Sequence, residues 1–299
     1  MRVLILGFIL KIMGAEKIIL GTVQLGLPYG INNSEGKPNL KQAFEILAFA
    51  KKSGVLTLDT AEAYGNAIEI IGKFHALNSF RFQIISKFKY VTGLNIKLSV
   101  QKTLQALHID QMFAYLLHNA DQLLESEVKE KLNELKSIEL IKYAGVSVYS
   151  NEQFEKAIFA DHIDVIQIPY NILDNNNLRG QLMAAAKKNG KIIHVRSVFL
   201  QGLFFMKLEK LPPKLIPLQK YLLEVQSICK KFDISVEEVS LNYVMANESI
   251  DGVLTGVESS NQLIKNLNAI NTKIPDEIDD FINRIIVKET ELLNPANWN

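Results

Sequence analysis

The sequence predicts an α/β protein built as a single-domain, closed (β/α)8 TIM barrel. Three observations predict it. Short apolar runs alternate with amphipathic stretches from residue 17 to about residue 270. The short runs are apolar nearly throughout, as strands covered on both faces are. Every gap between them is long enough for the crossover helix that parallel strands require. An open doubly wound sheet would want a GxGxxG turn after an early strand. Gly7, Gly14, Gly21, Gly26 and Gly30 do not supply that spacing.

The elements follow in order. Residues 17–22 read as the first strand, and a loop rich in Gly, Pro and Asn runs from 26 to 39. Asn39 can cap a helix over 40–53, which Gly54 ends. The apolar run 55–58 leads to Asp59, and a helix follows over 66–76. Residues 82–86 form the third strand and end at Lys87; a helix spans 95–107. The fourth strand, 112–117, ends at His118, and a Glu- and Lys-rich helix is expected over 121–140. Strands at 143–147, 165–168 and 191–195 alternate with helices at 151–160 and 178–188, the latter stopped by Gly190. Residues 222–231 read as a helix carrying the lone Cys229, and 252–255 as the eighth strand. From 274 to 299 the pattern fits one more amphipathic helix and a loose end with Pro295 and Trp298, packed over part of the barrel.

Bulk properties narrow the class. The chain has 299 residues, and its 48% apolar content is ample for a large core. A formal charge of +1 gives no general attraction to nucleic acid or an anionic membrane, so neither is expected as a partner. One cysteine excludes an internal disulfide and fits a reducing compartment, hence a cytoplasmic location. With no CxxC and no tight His/Cys cluster, no metal site is expected. Residues 1–10 have the look of a short signal peptide, but Lys11 interrupts it and the first strand follows at once. Residues 1–16 are therefore read as a leader or barrel-floor segment, with Met1 and Met13 both possible starts, and residues 17–299 as the barrel with its C-terminal helix.

Asp59, Tyr64, Lys87 and His118 each close, or lie just beyond, a consecutive strand. In a closed barrel these ends meet at one mouth. A free tyrosine, with a pKa of about 10, gives up its proton reluctantly. A neighbouring ammonium favours the phenolate and is expected to lower that value. Asp59 would hold Lys87 charged, and His118 would orient a substrate oxygen. The group can deliver a proton to a carbonyl. It carries no electrons, so reduction needs a borrowed hydride, which points to a nicotinamide cofactor. An aldolase using Lys87 as a Schiff base is the rival barrel chemistry.

At these residues the chain resembles the aldo-keto reductases, over about residues 18 to 267. The motifs are Gly21-Thr22, Asp59-Thr60-Ala61 with Tyr64-Gly65, Ser86-Lys87, Leu116-Leu117-His118, Gly145-Val146-Ser147 and Gln167. The resemblance implies a catalytic tetrad of Asp59, Tyr64, Lys87 and His118 and an NADPH laid across the mouth, with NADH as an alternative. It implies that Ser147 and Gln167 hold the nicotinamide amide. Gly21, Thr22, Ser197, the Gln201-Gly202 turn, Gly256, Gln262 and Asn266 would grip the rest of the cofactor. The implied activity is NAD(P)H-dependent reduction of an aldehyde or ketone to an alcohol. A cofactor-bound redox sensor or partner subunit with little turnover is the second functional class.

Three departures stand out. Val148 follows Ser147 where family members commonly have Asn. Arg196 stands where many place an aromatic residue against the nicotinamide, so it is read as an altered cofactor stack, a substrate phosphate or carboxylate site, or a loop brace. Around the place of a 2′-phosphate the chain has Gly256, Val257, Glu258 and Gln262 with no cation except Lys265, one turn on; Ser259, Ser260 and Asn261 can cap the helix that follows. For the substrate pocket, the loop Gln24 to Gly30 after the first strand can form one wall, Tyr29 and Phe88 offer apolar surface and Asn119, Tyr170 and Asn171 hydrogen bonds. These suit a polar carbonyl compound such as a sugar or keto-sugar.

Overall fold

Eight parallel strands close into a barrel in a computed structural model that describes residues 12–33 and 35–298. The strands are β1 (Ile18–Gly21), β2 (Thr57–Asp59), β3 (Gln83–Phe88), β4 (Met112–Leu117), β5 (Ile141–Ser147), β6 (Val165–Pro169), β7 (Ile192–Arg196) and β8 (Gly252–Gly256). Each pairs with its sequence neighbours, and β8 returns to β1 with Gly21 opposite Gly256. Around them lie α1 (Val23–Gly26), α2 (Leu40–Ser53), α3 (Ala67–Ala76), α4 (Ile96–Leu107), α5 (Ser126–Ser137), α6 (Asn151–Phe159), α7 (Asn176–Lys188), α8 (Gln219–Phe232), α9 (Val236–Ala246), α10 (Ser260–Ala269) and α11 (Asp276–Arg284). The segment expected over 1–16 falls mostly outside the described residues.

Local chemistry explains the boundaries. Asn39 and Gln42 form a reciprocal capping box at the start of α2, and Gly54 ends it at φ 93°. Ser150 and Gln153 do the same for α6. The helix expected over 121–140 is shorter. The Asn119 side chain accepts from the Asp121 amide and sets up a 3-10 turn at Ala120–Gln122, so α5 begins only at Ser126. The C-terminal end is not loose as far as it is described. Asn175 Nδ2 donates to the carbonyls of Ile282 and Ile285 at 2.8 and 2.9 Å, and the Trp298 indole donates to Leu292 O at 2.8 Å.

The apolar interior has two layers. A large core joins the outer faces of the strands to the helices. A smaller one, built on Ile19, Ile85, Ala114, Leu116 and Val165, fills the barrel. Its members share a face because they are in register: Ile85 pairs with Ala114, Leu116 with Gly145, and Gly145 with Val165. This plug forms a floor beneath the polar residues at the strand ends.

Tyr64 lies beyond β2, on a loop, and close packing of backbone holds it there. A Cβ on Gly26 would overlap the carbonyl oxygen of Tyr64, and one on Gly65 would overlap the carbonyl oxygen of Gly26. Gly65 also sits at φ 54°, a conformation glycine adopts without strain. α1 and the Tyr64 loop thus touch through backbone alone. Gly26→Ala is expected to cost about 1–3 kcal/mol of stability, as overpacking does, and to displace Tyr64. Chemical denaturation checks the first effect; a wild-type midpoint would mean the two segments do not meet this way.

Candidate active site

Asp59 and Lys87 are both buried, at 1% and 3% exposure, and form a direct ion pair. Gln167 reaches across from β6 and donates from Nε2 to Asp59 Oδ2 at 2.9 Å. Both carboxylate oxygens are therefore engaged, one by an ammonium and one by an amide. Lys87 Nζ also lies 3.3 Å from the Tyr64 hydroxyl. His118 follows β4, its amide donating to Phe88 O at 2.8 Å, and its ring faces the same space.

The electrostatics differ in part from expectation. Burial alone would lower the Lys87 pKa, but Asp59 and Tyr64 outweigh it, so the ammonium is held above its usual range. Burial also lifts the Tyr64 phenol above its ordinary value. Lys87 pulls it down and Asp59 pushes it up, and the net direction is upward. The expected net lowering is thus reversed: desolvation of the phenolate exceeds the attraction of an ammonium that Asp59 already balances. His118 is pushed down to about 4, by burial first and then by Lys87, Lys89 and Arg196. Its imidazole is neutral at neutral pH.

The cluster sits at one end of a cavity of about 590 Å³, within the range of small-molecule and cofactor sites. All of the residues expected to serve catalysis or to hold the cofactor line it: Gly21, Thr22, Asp59, Tyr64, Lys87, His118, Ser147, Gln167, Arg196, Ser197, Gly256, Gln262 and Asn266. Gln167, expected to face a nicotinamide amide, is hydrogen-bonded to Asp59 and accepts from Ser147 Oγ at 3.3 Å. At the far end Ser259 caps α10, accepting from the Gln262 amide at 3.3 Å, and Gln262 Nε2 donates to Glu258 Oε2 at 3.2 Å. Glu237, Glu258 and Lys265 are the charged residues of that end.

The expected substrate wall is mostly elsewhere. Of the five side chains expected there only Tyr29 lines the cavity, joined by Gln24 and Gly30 of the 24–30 loop. Phe88 is stacked on Tyr115 in the core, with centroids 4.5 Å apart. Tyr170 is bonded to Tyr243 and Asn247, Asn171 to the backbone of 173, 174 and 197, and Asn119 to Asp121. Their side chains serve turns and packing. Sequence reasoning missed Tyr149, whose ring lies beneath the Arg196 guanidinium at 4.1 Å. It also missed Thr255. Gln24 Oε1 and Thr255 Oγ1 are buried and have no hydrogen-bond partner among the described residues, although both residues line the cavity. Tyr149, two residues beyond Ser147 at a strand end, carried a positional signal.

The loop after β7 is strained. Ser197, Leu200 and Gln201 have φ of 62°, 46° and 53°, and Gly202 follows at 90°. Non-glycine residues held in this region mark functional segments, and amides turned this way can form anion-binding concavities. The loop is clamped to the one after β1: Ile31 N donates to Gln201 O at 3.1 Å, and Gln201 Nε2 to the Tyr29 hydroxyl at 2.7 Å.

A cluster that moves protons but holds no electrons defines a class: an oxidoreductase barrel that works with a bound hydride carrier. The chain belongs to the aldo/keto reductase family, which matches residues 17–286. It is an oxidoreductase of NAD(P)H-dependent carbonyl reduction. The NADH-specific methylglyoxal reductase of Escherichia coli is 22% identical over 270 residues, covering 76% of this chain and 82% of that protein. Similar solved structures include the holo form of an aldo-keto reductase from Bacillus halodurans (TM-score 0.72, 20% identity, 92% of this chain and 94% of that one). Another is the glycerol dehydrogenase of Gluconobacter oxydans (TM-score 0.71, 19% identity, 90% of each chain). No helix among the described residues is long and apolar enough to cross a membrane.

The His118 environment gives a direct check. Its ring resonances are expected to stay constant in NMR from pH 8 down to about 5 and to titrate near about 4. A midpoint near the ordinary 6.5 would mean the ring is hydrated and distant from the three cations.

Proposed function

We propose that this chain reduces the carbonyl of a polar aldehyde or ketone, such as a sugar or keto-sugar, with Tyr64 as proton donor. The observation that carries this reading is the Tyr64 hydroxyl 3.3 Å from a buried, charged Lys87 and facing the cavity that His118 also lines. A nicotinamide dinucleotide supplies the hydride when bound. Tyr64, kept protonated by its raised pKa, gives its proton to the carbonyl oxygen as negative charge develops there. Lys87 stabilises the phenolate that remains, and Asp59 with Gln167 fixes Lys87 in place. Neutral His118 donates a hydrogen bond to the same oxygen without competing as an acid. Asn32 and Gln201 on the cavity wall suit hydroxylated substrates.

The cavity suits the dinucleotide. Buried, unpartnered Gln24 Oε1 and Thr255 Oγ1 call for polar groups. Ser147, Gly21 and Thr22 would meet the nicotinamide half. Ser197, Gly256, Gln262 and Asn266 would meet the phosphates and adenosine. The resemblance favours NADPH, but local charge opposes that preference. Glu237 and Glu258 stand against the single cation Lys265, and a dianionic phosphate prefers arginine or lysine. Burial, with Glu35, raises the Glu258 pKa, against the opposing hydrogen bond from Gln262. We therefore assign NADH at least equal standing. Aldolase chemistry fits poorly, because a Schiff-base lysine must be neutral and Lys87 is held as an ammonium.

Tyr64→Phe is expected to lower turnover by about 10²–10⁴-fold and to leave cofactor affinity within a few-fold. Full turnover in that variant would remove Tyr64 from the role. In fluorescence titrations the unsubstituted protein should bind NADH at least as tightly as NADPH, and Glu258→Gln should shift the ratio toward NADPH. An unchanged ratio would place Glu258 away from the ribose.

A further inference from the structure

Arg196 ends β7 at the same end of the cavity as the Asp59–Lys87–Tyr64 cluster. Its guanidinium is held on one face by the Tyr149 ring, 4.1 Å from the centroid. Nη2 donates to Val148 O at 3.1 Å and Nη1 contacts Ser197 Oγ at 3.3 Å. The fork is therefore fixed by a ring, a carbonyl and a hydroxyl, with no carboxylate. Among the described residues Arg196 forms no ion pair. The acids that could have neutralised it are engaged elsewhere. Asp174 is gripped by Arg179 through two bonds of 2.7 and 2.9 Å, and Asp59 by Lys87 and Gln167.

A half-buried guanidinium without a counterion is costly unless something negative visits it. At this end of the cavity two cations, Lys87 and Arg196, face one carboxylate, Asp59. Arg196 and exposed Lys89 both act on His118 in the direction that cations do. A planar fork with spare N–H groups matches a carboxylate or phosphate through paired hydrogen bonds. Stacking on Tyr149 means that little side-chain freedom is lost on binding.

We propose that Arg196 receives an anionic group, carboxylate or phosphate, on the carbonyl substrate, so that the enzyme is selective for negatively charged aldehydes or ketones. This rests on the reductase reading above and narrows it. The anion sits on Arg196 while the carbonyl meets Tyr64 and His118. The expectation that Arg196 braces a loop carboxylate is thereby set aside.

Matched substrates test it: glyceraldehyde against glyceraldehyde 3-phosphate, and butanal against succinic semialdehyde. The anionic member of at least one pair should have a kcat/KM about 10–100-fold higher, as charge-assisted hydrogen bonding supplies, and the advantage should shrink with added salt. The pair that responds separates phosphate from carboxylate. Arg196→Gln should lose much more on the anionic member than on the neutral one, chiefly in KM. Arg196→Lys, which keeps the charge but not the fork, should recover part of the loss. Calorimetry of glycerol 3-phosphate and of succinate with the cofactor-loaded protein reads the anion site without turnover. Binding to the unsubstituted protein should be lost in Arg196→Gln. Equal kcat/KM within both pairs, or equal losses on both members, would overturn the proposal. So would a loss of cofactor affinity in Arg196→Gln as large as the loss for substrate. Anion binding that depends on Arg196 with no reduction of any carbonyl would keep the anion site and reject the reductase reading instead.

Discussion

The ion pair of Lys87 and Asp59 is the constraint on which the site depends. Taking an ammonium and a carboxylate out of water costs on the order of several kcal/mol per ion, and only close geometry with further hydrogen bonds offsets it. Gln167 provides the further bond on the carboxylate side, and the Tyr64 hydroxyl the further neighbour on the ammonium side. Removing either charge would leave the other stranded beside a tightly packed floor of Ile19, Ile85 and Leu116. The barrel closes around this pair because residues of β2, β3 and β6 reach it. It ties opposite walls of the barrel together.

From that pair the cavity acquires two unlike ends. One has a fixed ammonium, a phenol, a neutral imidazole and an uncompensated guanidinium. The other has two carboxylates, one lysine and the start of α10. Between them lie small residues, Gly21 and Gly256, opposite each other in the β1–β8 pairing. A Cβ on Gly256 would overlap the Gln24 side chain, whose Oε1 is one of the unpartnered polar atoms. This arrangement suits a long ligand with a ring at one end and a polar body. The clamp between the loops after β1 and β7, at Tyr29 and Gln201, stands over it.

Much of this was legible from the chain. The alternation of apolar runs and capped helices placed all eight strands, because strands covered on both faces have little choice of composition. The cluster of Asp59, Tyr64, Lys87 and His118 was legible because each member lies at or just beyond a strand end, and parallel strands in one barrel end on one side. Other features depend on three-dimensional balance and left no local mark. The apolar run before α5 did not announce that Asn119 would start a separate turn. Phe88 and Tyr170 sit near strand ends as the tetrad does, yet they turn outward into the core; one step along a strand reverses the face. The sign of the Tyr64 shift also needed the structure, since spacing shows which charges are near but not how far burial outweighs them.

That sign bears on the direction of the proposed reaction, in which Tyr64 gives its proton beside Lys87. A phenol whose pKa is raised above its ordinary value stays protonated across the physiological range. Reduction of a carbonyl starts from the protonated phenol, so the resting site is already in the form that step requires. Oxidation of an alcohol starts from the phenolate, which burial disfavours here and only Lys87 supports. An acid is a better donor when its pKa is closer to ambient, so the same burial lowers the driving force of the proton transfer. Lys87 limits that loss: it is charged before and after the transfer, held by Asp59, and gains an anionic neighbour only when the proton leaves. The interaction is therefore stronger at the transition state than in the ground state, which is the condition for it to accelerate the step. A lysine free to leave Asp59 would pair with the phenolate more strongly, but it would also be free to lose its own proton.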